Sequence, residues 1–161
     1  MALIQKVPSS HAQGLPLGAD VSSSVFKSLF LDIGLMQFIC GISSDEFLTQ
    51  KDLLAIYRGG LAEQFVGQQI LLYGGSENER LYYWNRPNKS SSAEIDYLLV
   101  RNGEILPVEV KSGAPARLKS LSLFLKEHPI CKKGLVFYSG NIKSDATYRL
   151  KYMPLYTKLD G

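Results

Sequence analysis

The stretch AEIDYLLVRNGEILPVEVKSG, residues 93–113, decides how the chain is read. Two apolar runs flank Asn102-Gly103, a dipeptide that favours a two-residue type I′ hairpin turn. Such a turn fixes the register. Arg101 faces Glu104, Val100 faces Ile105, Leu98 faces Pro107 and Tyr97 faces Val108. Carried outward, the same register sets Asp96 opposite Glu109 and Glu94 opposite Lys111. The Asp96–Glu109 pair falls in a non-hydrogen-bonded slot, with Cα atoms roughly 4.5 Å apart and side chains at their closest. Pro107 takes a slot of the same kind, so its missing N–H points away from the hairpin partner. The alternation sets Ile95, Tyr97 and Leu99 against Leu106, Val108 and Val110 on an apolar face. It puts Lys111 on the same side as Glu109.

Like charges directly opposite each other destabilise a sheet. Solvent, a shared proton or a cation must offset them. One or two carboxylates, completed by water and phosphate, suit Mg²⁺, so partly buried paired acids are a place for a divalent ion. An ordinary reading stands beside this one: Glu94–Lys111 is a common opposite-charge pair, and Asp96 is an exposed strand residue. The spacing leaves both open.

Working outward, PARLKSLSLFLKEHP (115–129) reads as an amphipathic helix. Pro115 suits its first turn, Leu118, Leu121, Phe124 and Leu125 form its stripe, and Pro129 ends it. GLVFYSG (134–140) reads as a buried strand, and YRLKYMPLYT (148–157) as a strand broken by Pro154. Upstream, LYYW (81–84) has strand composition and RPNKSSS (86–92) reads as loop. GGLAEQFVGQQILLYGG (59–75) is helical by period, with Leu61, Ala62, Phe65, Val66, Gln69 and Leu72 broadly on one side and Gly74-Gly75 as its stop. SSDEF (43–47) has the marks of a helix start, Ser44 capping and Asp45 and Glu46 in the first turn. VFKSLFLDIGLMQFICGI (25–42) is strongly apolar and packed, as helix or strand, and residues 8–24 read as loop. Helix, strand, hairpin, helix, strand, strand predicts an α/β domain with a mixed central sheet flanked by helices.

Composition narrows the classes. At 161 residues and 45% apolar, the chain suits one compact domain with a sizeable core. Residues 1–100 carry a net −3 and residues 101–161 a net +6. A basic half suits a polyanion partner, and a dispersed solvated surface gives the same count. Cys40 and Cys131 lack ligand-like spacing and read as small buried hydrophobes in a reducing compartment. The opening MALIQKVPSSHAQG has no apolar core before a cleavage site, and no uncharged run is long enough to span a bilayer. The expectation is a soluble, cytoplasmic protein with no membrane partner. The Ser90–Ser92 run has no nearby histidine to activate it. His11 and His128 stand isolated, His128 as a helix-end residue. Tyr82, Tyr83 and Trp84 beside Arg86 and Lys89 have the makings of a base-stacking, phosphate-touching surface, though a core strand with a polar tip explains them more simply.

Asp96, then Glu109-Val110-Lys111 on the next strand, with Glu63 on a preceding helix, resembles the PD-(D/E)xK nuclease superfamily. Over most of the chain, FKSLFLDIGL, GGLAEQFVGQQIL, LYYW, AEIDYLL and LPVEVKSG follow in an order similar to the uncharacterised C-terminal domain, of the DUF4143 type, of prokaryotic AAA-type ATPases. The match runs from about residue 26; the expectation is a loop-rich N-terminal segment over 1–25, the remnant of a longer chain or the start of a free-standing domain, and a nuclease-like domain over 26–161. No GxxxxGK[ST] loop is present, so the ATPase part is absent here.

The resemblance implies a restriction-endonuclease-like fold and phosphodiester hydrolysis. Asp96, Glu109 and the Val110 carbonyl would hold Mg²⁺ or Mn²⁺. Lys111 would orient the attacking water, and Glu63 would support the metal's water shell or a second metal. Nucleic acid, DNA above all, would be the partner, met by Arg86, Lys89, Arg117 and Lys119, with an ATPase domain or subunit alongside. The alternatives are a non-catalytic DNA-binding or partner-docking module and a homo-oligomerisation domain.

Overall fold

The structure, a computed structural model, describes residues 3–41, 53–73, 80–86, 92–114 and 118–159. Eight strands run in chain order: β1 (Ile4–Ser10), β2 (Val21–Phe30), β3 (Tyr82–Asn85), β4 (Glu94–Arg101), β5 (Glu104–Val110), β6 (Gly134–Tyr138), β7 (Lys143–Asp145) and β8 (Leu150–Pro154). They form one mixed sheet in the order β2-β1-β3-β4-β5-β6-β8-β7. The pairs β1–β3, β5–β6 and β6–β8 are parallel, and the others are antiparallel. The described helices are α1 (Ile33–Ile39), α2 (Leu53–Tyr73) and α3 (Lys119–Glu127). The chain is thus a mixed α/β structure, as the order of patterns predicts.

Each face of the sheet has its own apolar core. Ala62, Val66 and Ile70 of α2, spaced four apart, pack on Tyr97, Leu99 and Val108. Leu121 and Phe124 of α3 pack on the other face, against Trp84, Ile95, Leu98 and Val136. The α3 stripe is as expected, with Leu121 and Phe124 fully buried and Leu118 and Leu125 packed beside them. The α2 stripe is turned from its expected position: Ile70 is buried and Leu72 is 74% exposed.

The N-terminal segment differs most from expectation. Residues 8–24 do not form one loop: they contain the end of β1, a 3-10 turn over Leu17–Asp20 and the start of β2. Its serines build structure. Ser10 is buried, its hydroxyl donates to the Leu17 carbonyl and the Asp20 carboxylate, and it accepts from the Ala12 N–H. The apolar segment 25–42, open between helix and strand, is both: β2 ends at Phe30, Asp32 caps α1 by accepting from the Leu35 N–H, and α1 follows. The short β7, pairing with β8 at the sheet edge, has no sequence counterpart above. The helix start at Ser44–Glu46, the Gly74-Gly75 stop and Pro115 lie outside the described residues.

Candidate functional site

The hairpin β4–β5 forms in the expected register, from Arg101↔Glu104 to Tyr97↔Val108. Asn102 and Gly103 take φ values of 50° and 73°, the left-handed pair that a type I′ turn requires. The ladder then stops short of Asp96 and Glu109. Beyond Tyr97 the two strands stop pairing with each other and each keeps only its outer neighbour: Glu94 and Ile95 pair with Asn85 and Trp84 of β3, and Glu109 and Val110 pair with Val136 and Phe137 of β6. Where main-chain pairing ends, a side chain takes over. The Val110 N–H donates to Asp96 Oδ2 at 2.7 Å.

The register of β3 against β4 shifts by one residue at the same place. Tyr82 pairs with Leu98 but Trp84 with Ile95, so Asp96 and Tyr97 together face Tyr83. Such a bulge redirects side chains and recurs beside functional sites. It corrects two expectations. Ile95 packs with Leu98 in the α3-side core, not with Tyr97 and Leu99. Glu94 does not face Lys111: it ion-pairs with Lys27, while Lys111 Nζ lies 2.6 Å from Glu109 Oε1.

Helix α2 brings Glu63 to this opening, and its approach depends on Gly67. A Cβ at Gly67 would come within 2.5 Å of Tyr97 Oη and 2.9 Å of Leu29 Cδ1. Without that Cβ the helix lies against Tyr97, whose hydroxyl donates to the Glu63 carbonyl at 2.8 Å. On the next residue, Gln64 grips the outer edge of β2, accepting from the Phe30 N–H and donating to the Ser28 carbonyl, each at 2.8 Å. Gln68 donates to the Phe30 carbonyl. These two glutamines satisfy main-chain groups at a sheet edge. They also seat Lys27 of β2 directly against Glu63.

Lys27 is the residue the sequence reading missed. Its Nζ is shut off from solvent and lies 3.5 Å from Glu63 Oε2, 3.6 Å from Asp96 Oδ1 and in ion-pair contact with Glu94 Oε1. The Tyr83 ring backs it, 5.3 Å from ammonium to centroid. The available signal is the two-residue period of VFKSL: Lys27 falls on the same side of its strand as Leu29, which is 2% exposed. A lysine on an inward face needs acids to meet it.

The electrostatics follow from crowding acids in a dry place. Asp96 and Glu109 are 8% and 5% exposed. Burial and then the Asp96 charge push the Glu109 carboxyl up to about 7, against the pull of Lys111. Burial raises Asp96, although Lys27, the Val110 N–H and Lys111 oppose it. Burial and the Asp96 charge raise Glu63. Burial disfavours the charged forms of Lys27 and Lys111, yet their carboxylate neighbours outweigh it and hold both above the usual lysine value. One oxygen stays unmatched: Glu109 Oε2 is buried with no hydrogen-bond partner. Glu63, Asp96, Glu109 and Lys111 are thus brought together, with Val110 supplying an amide rather than a side chain. Among the described residues no three His, Cys, Asp or Glu side chains close a metal shell by themselves.

The basic residues expected to meet nucleic acid are not gathered in this way. Arg86 is bound to Glu127 at the end of α3, 2.7 Å apart. Lys119 is exposed at the start of α3. Lys89 and Arg117 lie outside the described residues. Tyr82, Tyr83 and Trp84 are buried, as a core strand requires. His128 closes α3 and is buried, its ring nitrogens each 3.0 Å from a carbonyl oxygen, of Phe124 and of His11. Cys40 is exposed, contrary to the expectation of burial, whereas burial pushes the Cys131 thiol up to about 11, which fits an inert core cysteine. No described helix is long and apolar enough to cross a membrane.

Fold and site together define a mixed α/β domain with acids and lysines gathered where its central hairpin opens. The family described as "Domain of unknown function (DUF4143)" matches residues 58–157, more than half of the chain, and the chain belongs to that family. The match contains Glu63, Asp96, Glu109 and Lys111 and begins after Lys27. No curated protein and no solved structure matches the chain.

Proposed function

We propose that this chain is a metal-dependent phosphodiesterase domain of the PD-(D/E)xK nuclease kind, built on a restriction-endonuclease-like core, with DNA as its substrate class. The observation that carries the reading is Glu109 Oε2, a buried carboxylate oxygen without a partner, beside Asp96 and Lys111. Two carboxylates and a main-chain carbonyl are hard oxygen donors of the number Mg²⁺ or Mn²⁺ takes from protein, water and phosphate filling the rest. The residues therefore fit the ion: Asp96, Glu109 and the Val110 carbonyl would hold it.

A bound divalent ion supplies charge neutralisation at the phosphate and makes hydroxide accessible near neutral pH. The chain's own groups do the rest. The Val110 N–H fixes the Asp96 carboxylate, and Glu109 holds the Lys111 ammonium where it meets the phosphate and orients the water. Water adds to phosphorus, the bond to the leaving oxygen breaks, and that oxygen leaves protonated. The test is a cleavage assay on duplex, junction and single-stranded DNA and on RNA, with Mn²⁺, Mg²⁺ or chelator. Metal-dependent cleavage that Asp96→Ala abolishes is expected; no cleavage of any form at millimolar metal refutes the reading.

A second reading has its own observation. Lys27 already bridges three acids, as a structural ion-pair network would, and a non-catalytic DNA-binding or docking module working beside an ATPase needs nothing more. Calorimetry with Mn²⁺ separates the two, because that module has no reason to bind the ion.

A further inference from the structure

The acidic cluster has two sides. On one, the unpartnered Glu109 Oε2 stands near Asp96 and Lys111. On the other, the Lys27 ammonium, shut off from solvent, sits among Glu63, the exposed Glu94 and Asp96. Lys27 is fixed there from both directions. Its backbone pairs with Val7 of β1, and Gln64 holds the neighbouring Ser28 and Phe30 at the outer edge of β2.

We propose that Lys27 takes the place of a second divalent cation, so that the cluster holds one metal, on the Glu109 side, and Glu63 answers to Lys27 rather than to a metal. This rests on the metal-dependent reading above and revises the role of Glu63 within it. Asp96 is then the shared acid, Oδ1 toward Lys27 and Oδ2 fixed by the Val110 N–H.

The test is Mn²⁺ calorimetry on the whole chain, native and Lys27→Met, with melting followed in chelator and in Mn²⁺. The native protein is expected to bind one Mn²⁺ and Lys27→Met two. Lys27→Met should melt lower than native in chelator and be raised more by Mn²⁺, while Lys27→Arg, which keeps the charge, binds one. If Lys27→Met folds only with Mn²⁺, the proposal stands; if it folds in neither condition, it falls. Two Mn²⁺ on the native chain, or one with unchanged affinity on Lys27→Met, also overturn it and leave the metal-dependent reading intact. No Mn²⁺ on the native chain sinks that reading itself; if Lys27→Met then binds one, Lys27 is still shown to fill a cation's place.

Discussion

Replacing Glu109 by glutamine in the metal-free protein keeps the shape of the side chain and removes its charge. Glu109 holds its proton to about pH 7 in the folded chain, against an ordinary 4.5. Between those values the folded state keeps a proton that the unfolded state has released, so stability falls as pH rises through the window. The contribution is complete below pH 4.5 and lost above about 7. At about 1.36 kcal/mol per pH unit, the gap corresponds to about 3 kcal/mol. Asp96 and Glu63, raised by the same burial, slope in the same direction. Glutamine escapes the Glu109 part of this cost but leaves an amide N–H where Oε2 has no partner, an opposing penalty of about 1–2 kcal/mol. Glu109→Gln is therefore expected to be about 1–2 kcal/mol more stable than native at pH 8 and up to about 1 kcal/mol less stable than native at pH 5, where the amide penalty remains and the native chain has lost little. Urea unfolding in chelator at several pH values between these limits measures it. A variant less stable than native at pH 8, or a native stability that does not fall with rising pH, refutes the account of a buried acid kept at a cost.

Lys111→Ala should lose cleavage while keeping Mn²⁺ binding, because the ammonium pairs with Glu109 Oε1 and leaves Oε2 to the ion; cleavage at the native rate removes Lys111 from the mechanism. Gly67→Ala should cost about 1–3 kcal/mol by thermal or urea unfolding, since its Cβ meets Tyr97 and Leu29, both packed in the core. It should also weaken Mn²⁺ binding to the folded variant, as displacing Tyr97 disturbs the bulge that aims Asp96; a variant as stable as native shows that the helix has room to move.

The hairpin was legible because it is local. Asn102-Gly103 dictates its own conformation, and every pair from Tyr97 to Arg101 follows from it without reference to the rest of the chain. The bulge at Asp96 was not, because it depends on how Tyr82 and Trp84 meet β4, a pairing that no local window contains. The α2 stripe was turned for a related reason. Gln64 and Gln68 look like a solvated helix face, but they spend their hydrogen bonds on β2, which no helical periodicity reveals. The serines, glycines and prolines of residues 8–24 read as loop from composition, yet Pro8 and Ser10 pair with β2, and the Ser10 hydroxyl holds the turn that returns the chain.

Asp96, Glu109, Glu63 and Lys111 were found and Lys27 was not, and the two facts have one physical cause. An acid that departs from a strand's apolar pattern stands out in a local window, whereas its neutralising partner is chosen by tertiary contact. Lys27 reaches Asp96 only because β1 and β2 fold onto β3, and it reaches Glu63 only because Gln64 fixes the distance between α2 and β2. Four carboxylates without Lys27 would have to be solvated, protonated or metal-bound for the sheet to close around them. Burial rules out the first for Asp96 and Glu109, whereas Glu94 is exposed and Glu63 partly so. The other two are what the pH dependence of stability and the Mn²⁺ stoichiometry measure, and the β1–β2 hairpin, only part of which reads as loop by composition, already brings one cation, the Lys27 ammonium, to the acids.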